Sequence, residues 1–247
     1  MKSHHRIDEF IPQVSIDCVV FGYEQTTLKV LIGKLDFNGE FHALPGGFIC
    51  HEEGIDEAAL RILQERTGIR EIYLEQFKVY GDATRDTRSF YEELLAGNPE
   101  KLKEIGADSA FLTWCQQRFL SIGYYALVDM RKVKPQATLL AESFDWYDIT
   151  ALPDLIMDHR DIVDGALEAL QFQLDRKLIA FNMLPETFTM RQLRELYEAV
   201  YDRPFRSNNF QKKMLSLDIL ERLGKKYTGA KHKAPYLYRF RKLEVGS

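Results

Sequence analysis

Between residues 14 and 68 the hydrophobic period of the chain switches from two to that of a helix, and the switch dictates strands first and a helix after them. Val14, Ile16, Cys18 and Val20 alternate with Ser15, Asp17 and Val19. Leu28, Val30 and Ile32 alternate again beyond a turn at Gly22–Thr27. Asp36–Gly39 marks the next turn, and Pro45-Gly46-Gly47 breaks the pattern. Ile55, Ala58, Ala59, Ile62 and Leu63 then recur at helical spacing. This predicts an amphipathic helix from about Gly54 to Arg66, with Gly68 as its stop.

Further strands are expected near Ile72–Tyr80 and Leu120–Val128. The stretch between them, about 89–117, lacks strand character. Glu92-Glu-Leu-Leu and Phe111-Leu-Thr-Trp-Cys suggest short helices there, joined by Gly97-Asn-Pro and Gly106. It reads as an insertion into a loop, a place where specificity or an oligomer contact is often carried. Asp161–Lys177 is an amphipathic pattern with Ile162, Val163, Ala166, Leu167, Leu170 and Leu174 on one side, and Phe181–Pro185 reads as a joint between domains. We expect one domain over 1–178 and a second over 179–247.

The net charge of -4 conceals a split: residues 181–247 carry 14 Lys and Arg against 7 Asp and Glu, a balance of +7, and the rest of the chain carries -11. A separate basic module that wants a polyanion is implied, with nucleic acid the first candidate and a solvated basic face the alternative. No apolar run is long enough for a membrane helix, and the start lacks the apolar core of a signal peptide. Cys18, Cys50 and Cys115 are odd in number, widely spaced and without a CxxC pair, which fits a reducing compartment. A cytoplasmic location is expected.

In the basic module Thr189-Met-Arg-Gln192 fits a capping box, and Leu193, Leu196, Tyr197 and Val200 continue as an inward stripe. After the Asp202-Arg-Pro204 break a second helix is expected from about Ser207, with Phe210, Met214 and Leu217 buried. Its other face carries Arg206, Asn208, Asn209, Gln211, Lys212 and Lys213. A basic segment, Lys225–Lys233, then sits between apolar residues that end at Phe240, as a β-hairpin would place it. Two helices with a polar, basic second helix and a basic hairpin describe a winged helix-turn-helix. Asn and Gln pair with adenine, Arg with guanine and Lys with phosphate. The candidate DNA contacts are Thr189, Arg191, Arg206, Ser207, Asn208, Asn209, Gln211, Lys212 and Lys213, with Lys225, Lys226, Lys231, His232 and Lys233 in the wing. Protein–protein contact is the alternative use of such a module.

The segment Gly47–Ile69 resembles the Nudix box, GX5EX7REUXEEXGU: Gly47, Glu53, Arg61, Leu63, Glu65, Gly68 and Ile69 fall on its fixed positions. The resemblance implies an α+β chain whose first domain is a Nudix-like α/β/α sandwich around a mixed sheet. The box needs several carboxylates on one helix face to hold divalent metal against a pyrophosphate. Two of those positions are Ile62 and Arg66 here. An aliphatic offers no oxygen, and a guanidinium repels Mg²⁺. The reading is therefore a fold that binds but does not cleave, with no catalytic residue, no metal and no cofactor expected. Glu53 and Glu65 either orient the loop, with Arg61 as ion-pair partner, or hold a weak residual metal. An active hydrolase of ADP-ribose-like substrates is the alternative.

Tyr80-Gly81-Asp82-Ala-Thr-Arg85-Asp86-Thr-Arg88 is similar to the GDPxRDPRG stretch of ADP-ribose-type Nudix proteins, with Ala83 and Thr87 in place of two prolines. Arg85 and Arg88 are candidate clamps for an anion, or loop arginines in surface ion pairs. With Phe188–Leu193, Ser207–Lys213 and Asp158–Ile162, nearly the whole chain resembles the Nudix-related transcriptional regulators, dimeric repressors released from operator DNA by an effector. The His-His-containing start and the long insertion look closer to the sugar-responsive AraR type, which implies L-arabinose or a related pentose as effector. The NrtR type, responsive to ADP-ribose, is the alternative. The resemblance places Lys34, His42, Glu53, Asp82 and Arg85 around the effector, and implies a homodimer on double-stranded operator DNA.

Overall fold

The computed structural model describes residues 7–68, 72–85, 87–104, 106–137, 141–174, 183–225 and 234–241. Its organising element is β1 (Phe10–Glu24), whose successive side chains serve opposite faces of one sheet. Ile16, Cys18 and Val20 enter one apolar cluster, and Val19 and Phe21 enter another. β1 turns into β2 (Thr27–Leu35) through Gln25 and Thr26, with φ of 51° and 69°, the left-handed pair that a two-residue hairpin demands.

The mixed sheet has seven strands. β6 (Leu120–Val128) runs parallel to β1 from Val14↔Leu120 to Gly22↔Val128, and β5 (Tyr73–Tyr80) lies antiparallel outside it. β3 (His42–Ala43) and β7 (Ala141–Asp148) flank β2. β4 (Gly46–Cys50) pairs with the first half of β1, so the Pro45-Gly46-Gly47 break opens a strand instead of leading straight to the helix.

Helix α1 (Ile55–Thr67) covers one face, burying Ala58, Ala59, Ile62 and Leu63. Glu57 accepts the Gly54 N–H at 2.9 Å, and Gly68, at φ 71°, closes the other end. Ile55 departs from the expected stripe: it stands at the first helical position, 43% exposed. Three helices, α2 (Arg88–Gly97), α3 (Pro99–Glu104) and α4 (Ser109–Cys115), form the insertion. Trp114 of α4 meets Phe48 at 4.6 Å and Phe119 at 4.9 Å, so the insertion is packed onto the sheet's β4 edge. Helix α5 (His159–Leu174) covers the opposite face with Ile162, Val163, Ala166, Leu170 and Leu174 buried, completing the α/β/α sandwich.

The second unit comprises β8 (Phe188–Thr189), α6 (Met190–Tyr201), α7 (Ser207–Ser216), β9 (Leu220–Lys225) and β10 (Tyr236–Phe240), its sheet ordered β8-β10-β9. Thr189 caps α6 reciprocally with Gln192: its hydroxyl accepts the Gln192 N–H at 3.2 Å, and Gln192 Oε1 accepts the Thr189 N–H at 2.9 Å. Phe210 and Met214 are buried as expected, but Leu217, at the end of α7, is 39% exposed. One apolar cluster continues through both units, from Leu170 and Leu174 to Leu196, Tyr197 and Val200. Of the joint expected at Phe181–Pro185, residues 181 and 182 lie outside the described residues.

Candidate effector site and nucleic-acid interface

The Nudix-box helix shows what became of the metal positions. Ile62 is 1% exposed, and a Cβ on Gly47 would lie 3.1 Å from its side chain, so the aliphatic is wedged beneath the double glycine. Arg66 Nη2 donates to Gly46 O at 3.4 Å. Glu53 has both oxygens committed: Arg61 Nη2 and Cys50 N donate to Oε1 at 2.6 and 2.8 Å, and Arg61 Nε donates to Oε2 at 2.9 Å. Hydrogen bonding from Arg61 holds the Glu53 carboxyl down at about 2. Arg61 also donates to Phe48 O at 2.9 Å, which ties the loop to the helix. Glu65 keeps only a 3.4 Å ion pair to Arg61. The divalent metal that the box spacing implies does not fit this donor set, and among the described residues no group of three His, Cys, Asp or Glu side chains converges elsewhere.

The five residues expected around an effector fall into separate settings. Lys34 and His42 are cross-strand partners, Lys34 also pairing with Glu142 at 3.2 Å and the His42 ring lying 6.1 Å from that of Tyr147. Glu53 is held by Arg61, as above. Asp82 is exposed and accepts the N–H and hydroxyl of Thr84 at 3.0 and 2.9 Å. The Arg85 side chain is 5% exposed and spends its donors on Asp158 and Phe119 O. Arg88 opens α2 at the surface.

Sequence reasoning missed the polar centre around Arg85. Asp17, 7% exposed, accepts from Ser121 Oγ at 2.5 Å and lies 3.9 Å from Arg85 Nη2. His159, 3% exposed, accepts the Leu44 N–H on Nδ1 at 3.0 Å, and burial pushes its pKa down. Nδ1 being the acceptor, the neutral ring carries its proton on Nε2, which faces Asp17 Oδ1 at 3.6 Å. The one available signal was Asp17 itself, a carboxylate at an inward position of a hydrophobic strand.

On the second unit, Arg206, Ser207, Asn208, Asn209, Gln211, Lys212 and Lys213 are all exposed along one stretch of α7, with Phe210 and Met214 anchoring it from beneath. Arg206, Asn209 and Lys213 line a cavity together with Arg203 and Phe205. Arg203, absent from the sequence-based set, lies 5.1 Å from the Phe205 ring and 5.4 Å from that of Tyr201. Thr189 is 8% exposed and serves as the α6 cap, whereas Arg191 projects from α6 and pairs with Glu195 at 2.6 Å. Lys225 ends β9. Lys226, Lys231, His232 and Lys233 lie outside the described residues.

Fold and site together define a class: a Nudix-like mixed α/β domain followed by a winged helix. Residues 180–240 match the NrtR DNA-binding winged helix domain family. It is 25% identical over 246 residues, 97% of this chain and 86% of the other, to an ADPR responsive transcriptional repressor, NtrR, of Acinetobacter baylyi. Among solved structures, Shewanella oneidensis NrtR matches with a TM-score of 0.68 at 23% identity, covering 93% of this chain and 94% of that one. A MutT/nudix family protein from Enterococcus faecalis matches with a TM-score of 0.66 at 18% identity, covering 94% and 87%. These two likenesses bear on the fold. The winged-helix match and the Acinetobacter relative are both of NrtR kind, and the AraR branch expected from the sequence gains no support from them.

Proposed function

We propose that the chain is a DNA-binding transcriptional repressor whose Nudix-like domain binds ADP-ribose as an effector without cleaving it. The observation that carries this reading is the exposed face of α7, where amide and cationic side chains stand over a buried Phe210 and Met214 in a winged helix. That composition suits base edges and phosphates of a duplex. The effector assignment rests on the Acinetobacter relative, aligned over nearly the whole chain and named for its response to ADP-ribose. The non-hydrolytic character rests on Ile62 and Arg66 at the metal positions.

The repressor acts as a homodimer, each winged helix engaging one half-site. The effector works by preferring a state whose helix spacing no longer fits. Arg206, Asn208, Asn209 and Gln211 read bases, while Lys212, Lys213 and the basic wing hold phosphates. The test is fluorescence anisotropy with the duplex upstream of the protein's own operon, titrated with ADP-ribose and separately with L-arabinose. Release by ADP-ribose alone supports the reading; release by arabinose alone, or appreciable Mg²⁺-dependent phosphate-containing product from ADP-ribose, rejects it.

A further inference from the structure

The mismatch between a Nudix box and a metal is more than a loss of ligands, because it changes the charge of the site. The box pattern with Arg61, Glu53 and glutamates at 62, 65 and 66 carries -3. This chain, with Arg61, Arg66, Glu53 and Glu65, carries zero. A site at -3 repels a diphosphate unless a divalent cation bridges the two, whereas a neutral site does not.

The geometry separates the two arginines. Arg61 is fully engaged, gripping both oxygens of Glu53, reaching Glu65 at 3.4 Å and donating to Phe48 O. Arg66 is half-buried and makes a single long hydrogen bond, to Gly46 O at 3.4 Å. No carboxylate lies within ion-pair distance of it among the described residues, and burial lowers its pKa, with Glu65 acting the other way. Its position is also specific. Ile62, one turn earlier on the same helix row, packs under Gly47, so the guanidinium is set beside a double-glycine backbone that presents no side chain. A planar fork with free donors beside bare backbone is suited to phosphate oxygens.

We infer that Arg66 takes the electrostatic place of the divalent cation at this helix, so that a diphosphate docks on the protein without metal. The inference rests on the effector reading for its natural ligand, ADP-ribose, but not for its chemistry. Arg66 binds the anion and supplies no activated water, which separates recognition from cleavage at one residue.

The test is isothermal titration of the full chain in EDTA and, separately, in Mg²⁺, using ADP-ribose and inorganic pyrophosphate as probes. The expected result is ADP-ribose affinity that is the same in both buffers. Arg66→Gln should weaken both probes by about tenfold or more. Arg66→Lys should recover part of that loss, and Arg66→Glu should make binding depend on Mg²⁺. Thermal melting of each variant checks the fold. ADP-ribose binding that vanishes in EDTA, or that survives Arg66→Gln unchanged, overturns the inference while leaving the effector reading standing. Metal-free pyrophosphate binding that depends on Arg66, in a protein that ignores ADP-ribose, upholds the inference and overturns the effector reading. Failure of both probes without metal overturns the inference.

Discussion

Arg85 grips Asp158 with two prongs, Nε to Oδ2 at 2.6 Å and Nη2 to Oδ1 at 2.9 Å, across 73 residues of sequence. The pair joins the loop after β5 to the residue just before α5. The far end of α5 is in turn bonded to the winged helix: Gln171 Nε2 donates to Val200 O at 2.7 Å, and the Tyr201 hydroxyl donates to Gln171 O at 2.8 Å. One helix thus has its first turn in the polar centre of the Nudix-like domain and its last turn on α6.

Breaking the Arg85–Asp158 pair should be costly, because Arg85 is 5% exposed and would keep its charge without its main acceptor. Removing one partner of a buried pair costs about 3–5 kcal/mol; the partial exposure of Asp158 places Asp158→Ala near the lower end. Urea unfolding measures it. A loss below about 1 kcal/mol would mean that the pair behaves like a surface contact.

How much of this was legible in the sequence follows from the range of each interaction. The Thr189–Gln192 cap, the Gly68 stop and the α1 and α5 stripes are local, and residue order alone specifies them. β4 and β7 were not legible. β4 begins in a Pro-Gly-Gly break, and β7, whose aromatics are interrupted by Glu142, Asp145 and Asp148, pairs with β2, more than 100 residues earlier. The polar centre was hidden for the same reason: His159 meets Leu44 across 115 residues, and Ser121 meets Asp17 across 104. The arginine of the Gly-Asp-Ala-Thr-Arg loop was recognisable as special, but whether it faced a ligand or a carboxylate depended on where Asp158 lands.

If α5 carries the effector signal, loosening its far end should uncouple the two domains while sparing each. Gln171→Ala removes the bond to Val200 O and leaves the buried stripe of α5 intact. Operator affinity without effector should change by less than about threefold, while the weakening produced by saturating effector should shrink by about threefold or more, equivalent to ~0.7 kcal/mol of coupling. Anisotropy titrations with and without ADP-ribose give both numbers. An unchanged ratio would show that the signal travels by another route.

Glu53 supplies an acid-limb signature. Hydrogen bonding from Arg61 lowers its pKa from the ordinary 4.5 to about 2 on folding. The folded state therefore binds that proton less tightly than the unfolded chain. The stabilisation is complete above about 4.5 and is lost as the pH falls through about 2. A shift of this size sets an upper bound of about 3.4 kcal/mol, which solvent around the pair reduces. Stability curves of the native chain and Glu53→Gln should differ above pH 4.5 and converge toward pH 2. Parallel curves across that window would falsify the assignment.

The division of labour on α7 is the most direct test of the nucleic-acid face. Asn209 lies with Arg206 and Lys213 in the cavity at the start of α7, where a recognition helix meets base edges. Lys212 is an exposed cation on the same helix. Asn209→Ala should cost about 1–3 kcal/mol on the operator and relax preference at one or two base pairs, with no loss on random duplex. Lys212→Ala should weaken operator and random duplex alike and reduce the slope of log affinity against log salt by about 1. The contrast is informative because both residues sit on a surface anchored by Phe210 and Met214, so neither truncation disturbs the core. Equal effects of the two substitutions on specificity and salt slope would mean that α7 lies along the backbone and some other element reads the sequence.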